Sequence, residues 1–290
     1  MIAYLGTGLL GAGFVRKLLE RGEDVHVWNR TPEKARALEA DGAKAFDNAA
    51  DAVRGANRIH LTLSDDAAVD AVLEPLAGVV LPTALIIDHT TTAPTPTVER
   101  IERWKARGRT YVHAPVFMGP KNAREATGLM LLSGDPQVRA RVKPLVEPMT
   151  GKVVDLGDDP GRGAAFKLFG NLVILVMSGG LADMFALARS LNIDPNDARA
   201  LFDEFNPAGA IGARSKAIAE ERFQPPNFEL TMARKDARLM IEEAARHGTK
   251  LDVVPAVAAL MDRYIEAGHG SDDSGVIGSG RAPSRVPAAR

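Results

Sequence analysis

This sequence predicts an α/β domain with a mainly parallel sheet, followed by an all-α domain joined to it by a long helix. Three observations carry that expectation. Across residues 1–160 short β-rich runs alternate with helical stretches. Beyond 161 the strand signal disappears and long helical patterns follow. A glycine-rich turn separates the first strand from the first helix. Strands alternating with helices make βαβ units, whose parallel sheet is covered on both faces, so its strands read as near-continuous apolar runs.

The elements follow in order. IAYL (2–5) leads through glycines into a helix over 9–21, and DVHVW (24–28) leads into a second near 32–41. RIHLTL (58–63), ALIIDH (84–89), TYVHAP (110–115), LMLLSG (129–134) and KVVDLG (152–157) are the further strand candidates, with helices around 66–75 and 94–107 between them. Helical patterns then cover 163–191, 195–204, 209–220, 228–247 and 253–267. The first of these, opened by Gly161-Arg162-Gly163, exceeds an ordinary globular helix and reads as a spine between two domains. Its LVILVM run (172–177) is membrane-like, but Asn171, Ser178 and Asp183 interrupt it and no short basic loop flanks it. A helix buried inside a soluble protein is expected there. The predicted division is 1–160 for a nucleotide-binding domain and 161–290 for a helical substrate and oligomerisation domain. Its Gly-, Ser-, Pro- and Arg-rich stretch from 268 to 290 reads as a flexible tail.

Composition narrows the function. The 290 residues are 46% apolar and 25% charged, ordinary for a globular chain of two domains. Lys and Arg total 36 against 37 Asp and Glu, so there is no basic footprint for nucleic acid or an anionic membrane. Having no cysteine removes disulfides, thiolate nucleophiles and thiolate metal sites. The six histidines hold no HxxxH pair, and no metal is expected. Met1-Ile2-Ala3-Tyr4-Leu5 runs into Gly6 without a basic n-region or a long apolar stretch, so a cytoplasmic protein is expected.

Gly6-Thr7-Gly8-Leu9-Leu10-Gly11 fits GxGxxG in the context that pattern requires, directly after a strand and opening a helix. Gly6 permits the tight turn, Gly8 lets the backbone approach a pyrophosphate, and Gly11 lets helix and strand pack closely. The helix N-terminus then faces the phosphates with free N–H groups. A Rossmann-type domain is therefore predicted. At the end of the second strand stands Asn29-Arg30-Thr31, where a binder of NAD places an acid. Arg30 can pair with a 2′-phosphate, and Asn29 and Thr31 add uncharged donors, so NADP(H) is the predicted cofactor.

A nicotinamide enzyme must also place a proton donor near the carbonyl that takes the hydride. Gly163, Lys167 and Asn171 recur every four residues and share one helical face. Gly163 would leave room for a ligand, Lys167 offers the proton, and Asn171 can hold the lysine or a substrate oxygen. The apolar surroundings would lower the lysine's pKa.

These motifs together resemble the β-hydroxyacid dehydrogenase family, within the wider 6-phosphogluconate dehydrogenase group. It includes 3-hydroxyisobutyrate dehydrogenases and glyoxylate or succinic semialdehyde reductases. The resemblance runs over nearly the whole chain and implies more residues. Leu63-Ser64 sits where the family has Leu-Pro against the cofactor. Asp88-His89-Thr90-Thr91-Thr92-Ala93-Pro94 resembles D-x-[ST]-T-x-x-P, which would put Thr91 near the nicotinamide or its ribose. Gly163…Lys167…Asn171 is similar to the catalytic GxxxKxxxN, and Lys235-Asp236 resembles a pair whose lysine reaches the cofactor.

One motif departs from the family. Its substrate loop usually reads D-x-P-V-S-G-G, whereas this chain has His113-Ala114-Pro115-Val116-Phe117-Met118-Gly119. Phe117 loses the hydroxyl donor and Met118 adds apolar bulk, which favours a larger or more apolar substrate than a small hydroxyacid. Backbone groups of Val116, Phe117, Met118 and Gly119 would still receive its polar end, with His113 a structural strand-end residue. The expected reaction is hydride transfer between NADP(H) and a carbonyl or alcohol, a semialdehyde or hydroxyacid, with Lys167 as general acid or base. The alternatives are an imine reductase and a non-catalytic dinucleotide-binding interaction module. The resemblance also implies a homodimer or homotetramer with a small-molecule substrate, binding neither nucleic acid nor membrane.

Overall fold

The structure, a computed structural model, describes residues 1–280. The chain forms two compact units, Met1–Leu172 and the residues from Val173 onward.

The first unit begins with β1 (Ile2–Leu5), α1 (Leu9–Glu20), β2 (Val25–Trp28), α2 (Pro32–Arg36), β3 (Lys44–Phe46) and α3 (Ala49–Val53). It continues through β4 (Arg58–Leu61), α4 (Asp66–Leu73), β5 (Leu85–Asp88), α5 (Pro94–Ala106) and β6 (Thr110–His113). These six strands form one sheet in the order β3-β2-β1-β4-β5-β6, parallel throughout. That order reverses at β1, and the crevice outside the strand ends at such a reversal is where dinucleotides bind. After it come β7 (Val116–Phe117), α6 (Pro120–Glu125), β8 (Leu129–Leu132), α7 (Pro136–Val146) and β9 (Lys152–Asp155). Strands β7, β8 and β9 make a separate small sheet, so 129–134 and 152–157 do not extend the main one.

Strand periodicity distributes the core. Ile2, Tyr4, Leu85 and Ile87 point to one face, against Phe14, Val15 and Leu18 of α1. Ala3, Leu5 and Ile86 point to the other, with Ile59, Leu73 and Trp104. Both faces are covered, which is why β1 and β5 carry no polar alternation.

Three histidines inside this core are held by hydrogen bonds, though His60 Nε2 and His113 Nδ1 are buried without a partner among the described residues. His89 Nδ1 donates to the Ala114 carbonyl at 2.8 Å, so its Nε2 accepts from His60 Nδ1 at 2.9 Å. His60 stacks on His89 and on Tyr4. His113 Nε2 bonds the Thr90 carbonyl at 2.8 Å and the Thr92 hydroxyl at 3.0 Å, in keeping with a structural role. Burial pushes all three imidazoles down, His89 to about 4 and His60 well below its usual value.

The helix α8 (Arg162–Ser190) spans both units. It is long and apolar enough to cross a membrane by length and composition, yet only 11% of its most apolar window is buried. This corrects the expectation of a buried helix: Leu172 to Met177 are 46–71% exposed in the single chain. The second unit continues with α9 (Pro195–Glu204), α10 (Ile211–Ala219), α11 (Leu230–Arg246) and α12 (Val254–Tyr264). Asp183 of α8 accepts from the backbone N–H groups of Asp252, Val253 and Val254 at 2.8–2.9 Å, capping the start of α12. Burial pushes its carboxyl up, but those three bonds outweigh it and hold the group below the usual range. Phe223, Leu230, Tyr264 and Val276 form this unit's small core. Val276 belongs to a short helical turn over Ser274–Gly278, so residues 268–280 are packed structure rather than flexible tail. The remainder of that stretch, 281–290, lies outside the described residues.

The buried histidines set an acid limit. Their folded pKa values lie below the unfolded 6.5, so their contribution is complete above pH 6.5 and is lost as pH falls. Each should cost about 1.4 kcal/mol per pH unit below 6.5 until its own folded pKa is reached. Urea unfolding across pH 7.5 to 5 measures this: a falling unfolding free energy is expected, shallower in His60→Phe, and a flat profile refutes it.

Candidate active site

The first site grows out of the β1–α1 turn. Gly6 has φ +95°, and a Cβ there would overlap the Thr62 carbonyl of the chain leaving β4, so only glycine fits. Nothing lies within 4 Å of the Cβ position at Gly8, which leaves the backbone open at the start of α1, and no side chain caps that helix. Its first N–H groups are free to meet an anion.

A cleft of about 380 Å³ opens here. It brings together Gly6, Gly8, Leu9, Leu10 and Gly11 of the turn, Asn29, Arg30 and Thr31 after β2, and Leu63 and Ser64 after β4. Thr7 lines an adjoining hollow of about 230 Å³, and its hydroxyl is buried without a hydrogen-bond partner among the described residues. The open Gly8 backbone and this orphaned hydroxyl fit a polar, phosphate-bearing ligand. The cleft lining carries two cations, Arg30 and Lys34, and no carboxylate, which suits an additional phosphate.

Six lining residues went unassigned in the sequence: Trp28, Lys34, Thr62, Ala68, Ala71 and Val72. Lys34 lies in the first turn of α2, shortly after Arg30. Asn29 is less free than its sequence position suggests. Its Oδ1 accepts the Thr7 N–H at 3.0 Å and its Nδ2 donates to the Thr31 carbonyl at 2.9 Å, so it ties the glycine turn to the β2–α2 loop.

Thr91 is exposed, on the loop after β5. Its neighbour Thr90 is buried, accepting the Leu63 N–H on its hydroxyl at 3.0 Å and donating its own N–H to Asp88 Oδ1 at 2.8 Å. Asp88 also accepts from the Tyr111 hydroxyl at 2.5 Å, and burial then the Asp88 charge push that phenol well up, keeping it a donor. Lys235 lies on α11 of the second unit, paired with Asp236 at 2.9 Å.

The second site lies on α8. Lys167 is 9% exposed, and its Nζ donates to Asn171 Oδ1 at 3.0 Å. Burial lowers its pKa from the ordinary lysine value. The ammonium also sits 4.3 Å from the centre of the Phe117 ring. That ring fills a notch at Gly170, where a Cβ would overlap it. The Gly170–Phe117 contact gave no signal in the sequence, because the two residues sit on separate elements.

The structure bears on two further expectations for this region. Gly163 does not open space for a ligand: its N–H donates to Ser133 Oγ at 2.9 Å, and a Cβ there would lie 3.3 Å from that oxygen and 3.6 Å from Pro115. Its bareness serves the packing of α8. Of the loop residues, Phe117 lays its ring against the lysine. Val116 is buried in the first core and paired with Met130 across β7 and β8, Met118 packs against the same core, and the Gly119 N–H is taken by Asn122 Oδ1 at 2.9 Å. The cap of α6 thus takes the Gly119 N–H, one of the backbone groups expected to receive a substrate.

Comparison with known proteins identifies the family. A family model described as the NAD binding domain of 6-phosphogluconate dehydrogenase matches residues 1–157. Another, described as the NAD-binding of NADP-dependent 3-hydroxyisobutyrate dehydrogenase, matches 161–279. A probable 3-hydroxyisobutyrate dehydrogenase of Mycobacterium tuberculosis is 28% identical, over 97% of this chain and 98% of its own. The 3-sulfolactaldehyde reductase of Escherichia coli is 26% identical, over 95% of this chain and 94% of its own. Among solved structures, an imine reductase from Myxococcus stipitatus in complex with NADP+ shares the fold at a TM-score of 0.90 and 20% identity, over 96% of this chain and 98% of that one. The chain belongs to the β-hydroxyacid dehydrogenase family of NAD(P)-dependent oxidoreductases.

Proposed function

We propose that this protein is an NADP(H)-dependent reductase or dehydrogenase acting on a carbonyl or alcohol, with Lys167 as the general acid or base. The pairing of the buried Lys167 ammonium with Asn171 carries this reading. Gly6 to Gly11 would hold the pyrophosphate at the start of α1, with Arg30 and Lys34 at the 2′-phosphate and Leu63, Ser64 and Thr91 along the rest of the cofactor. Bound NADPH supplies the hydride. Of the three ammonium protons of Lys167, one is held by Asn171 and one side of the group faces the Phe117 ring. The remaining N–H points a proton at a substrate oxygen as negative charge develops there. In the oxidative direction the neutral amine, favoured by burial, takes the proton.

An imine reductase is the second reading, favoured by the apolar Phe117 ring beside the lysine and by the fold shared with the Myxococcus enzyme.

The exposed apolar strip of α8 also needs a cover, since a contiguous patch of this kind marks an interaction surface. A second copy of the chain, in a homodimer or homotetramer, is the proposed cover. A bilayer suits it less, because Lys167 and the ionised Asp183 lie on the same helix, bonded within the protein.

Four measurements test these assignments. Lys167→Ala should lower kcat/KM for semialdehyde reduction by about 10²–10⁴-fold with NADPH affinity kept. In the native enzyme the reductive rate should fall as pH rises through an inflection below that of an ordinary lysine. Full activity in the variant, or turnover of a cyclic imine alone, overturns the carbonyl reading. Removing Arg30 and Lys34 together should weaken NADPH binding about 10–100-fold and leave NADH unchanged. Light scattering should report at least a dimer, and Leu175→Glu should release monomers; a native monomer would refute the second-copy cover.

A further inference from the structure

We infer that Phe117 is a positioning residue for Lys167: its ring face, seated in the notch at Gly170, favours the ammonium over the neutral amine and keeps the proton donor loaded. The inference rests on the assignment of Lys167 as the proton donor for its catalytic meaning, while the charge of that side chain can be read without any turnover.

The ring is fixed by packing. Phe117 is paired with Leu129 across β7 and β8, and a Cβ at residue 170 would overlap its ring, so the bare backbone of α8 and the ring fit together. From that seat the face lies 4.3 Å from Lys167 Nζ. At this separation an aromatic face attracts a cation through its quadrupole and offers a neutral amine far less. Asn171 Oδ1, at 3.0 Å, can accept an N–H from either form, so it orients the group in both states. Of the two contacts, the ring discriminates more sharply by charge.

No neighbouring charge takes the place of the ring. Burial pushes the lysine towards its neutral form, and among the described residues no ionic partner opposes that. On the same helix the Arg162 guanidinium stacks on Phe166 at 5.4 Å. Together with Glu99 of α5 and Asp159 it lines a hollow on the side of Phe166 and Phe169. His113, whose carbonyl lies beside Gly163, is tied by Nε2 to the Thr90 carbonyl and kept neutral by burial. The Phe117 face therefore offsets part of what burial takes away. For a cation shielded from water, such a contact corresponds to about half to one and a half pH units of proton affinity.

The test weakens the quadrupole of the ring while keeping its shape. Mono-, di- and trifluorinated phenylalanine are placed at position 117 of the full chain. Lys167 is then titrated by NMR on isotope-labelled lysine, its signal assigned by its loss in Lys167→Met. The midpoint should fall with each added fluorine, by about half to one and a half pH units over the series. Phe117→Leu, which keeps apolar bulk without a π face, should lower it by a similar amount, and Phe117→Tyr should titrate with the native protein. A midpoint that stays constant or rises across the fluorinated series overturns the inference. So does Phe117→Leu titrating at or above the native value, or Phe117→Tyr titrating with Phe117→Leu. Melting curves confirm folding, and the fluorinated series decides by itself should a substitution variant fail. None of these titrations involves turnover, so they stand apart from the lysine's catalytic assignment. In parallel, the pH profile of kcat/KM for NADPH oxidation with an aldehyde should move by the same amount. A lysine midpoint that moves while the profile stays in place leaves the effect of the ring standing and overturns Lys167 as the proton donor.

Discussion

One buried carboxylate organises the cofactor side of this molecule. Asp88 ends β5 with no exposed surface, and its two oxygens accept from the Thr90 N–H and the Tyr111 hydroxyl. Thr90 in turn accepts from Leu63, which lines the cleft, and its carbonyl receives His113. A charge so deep is tolerated only because hydrogen bonds satisfy it. The ends of three neighbouring strands are thereby fastened to one group. Arg100, also fully buried, sits over the Tyr111 ring and pairs with Asp66 and Asp70 of α4, carrying the fastening outward to the helices.

Against that rigid frame, the two chemical sites use opposite electrostatic designs. The nucleotide cleft gathers cations and excludes carboxylates, so it is attractive to phosphate before any specific contact forms. The lysine site isolates one cation among apolar groups, which weakens its hold on the proton. A net charge of −1 over the chain hides both.

How much of this was legible depended on the range of the interaction involved. Strands β1 and β5 stood out because burial on both faces left them nearly unbroken apolar runs. Strands β3 and β7 did not: three and two residues are too few for a pattern, and Lys44 is exposed. The small sheet looked like a continuation of the large one, since pairing partners are set by tertiary packing rather than by the runs themselves. Helix α7 was hidden by Pro136 at its start and Pro144 within it. Lys167 with Asn171 was readable because four residues make one helical turn. The Phe117 ring over Lys167 was not, nor was the use of Gly163 for packing, because both link residues distant in sequence.

The brace formed by Asn29 bears on how cofactor preference could change in descendants of this chain. An acid at the end of β2 is the usual means of holding a ribose hydroxyl. An aspartate at 29 would keep an oxygen for the Thr7 N–H but lose the amide hydrogens that reach the Thr31 carbonyl. Choice of nucleotide and the seating of the glycine turn are thus written in one side chain. A lineage shifting between the two dinucleotides would meet a coupled step, in which the loop after β2 must find another anchor before the new acid is useful.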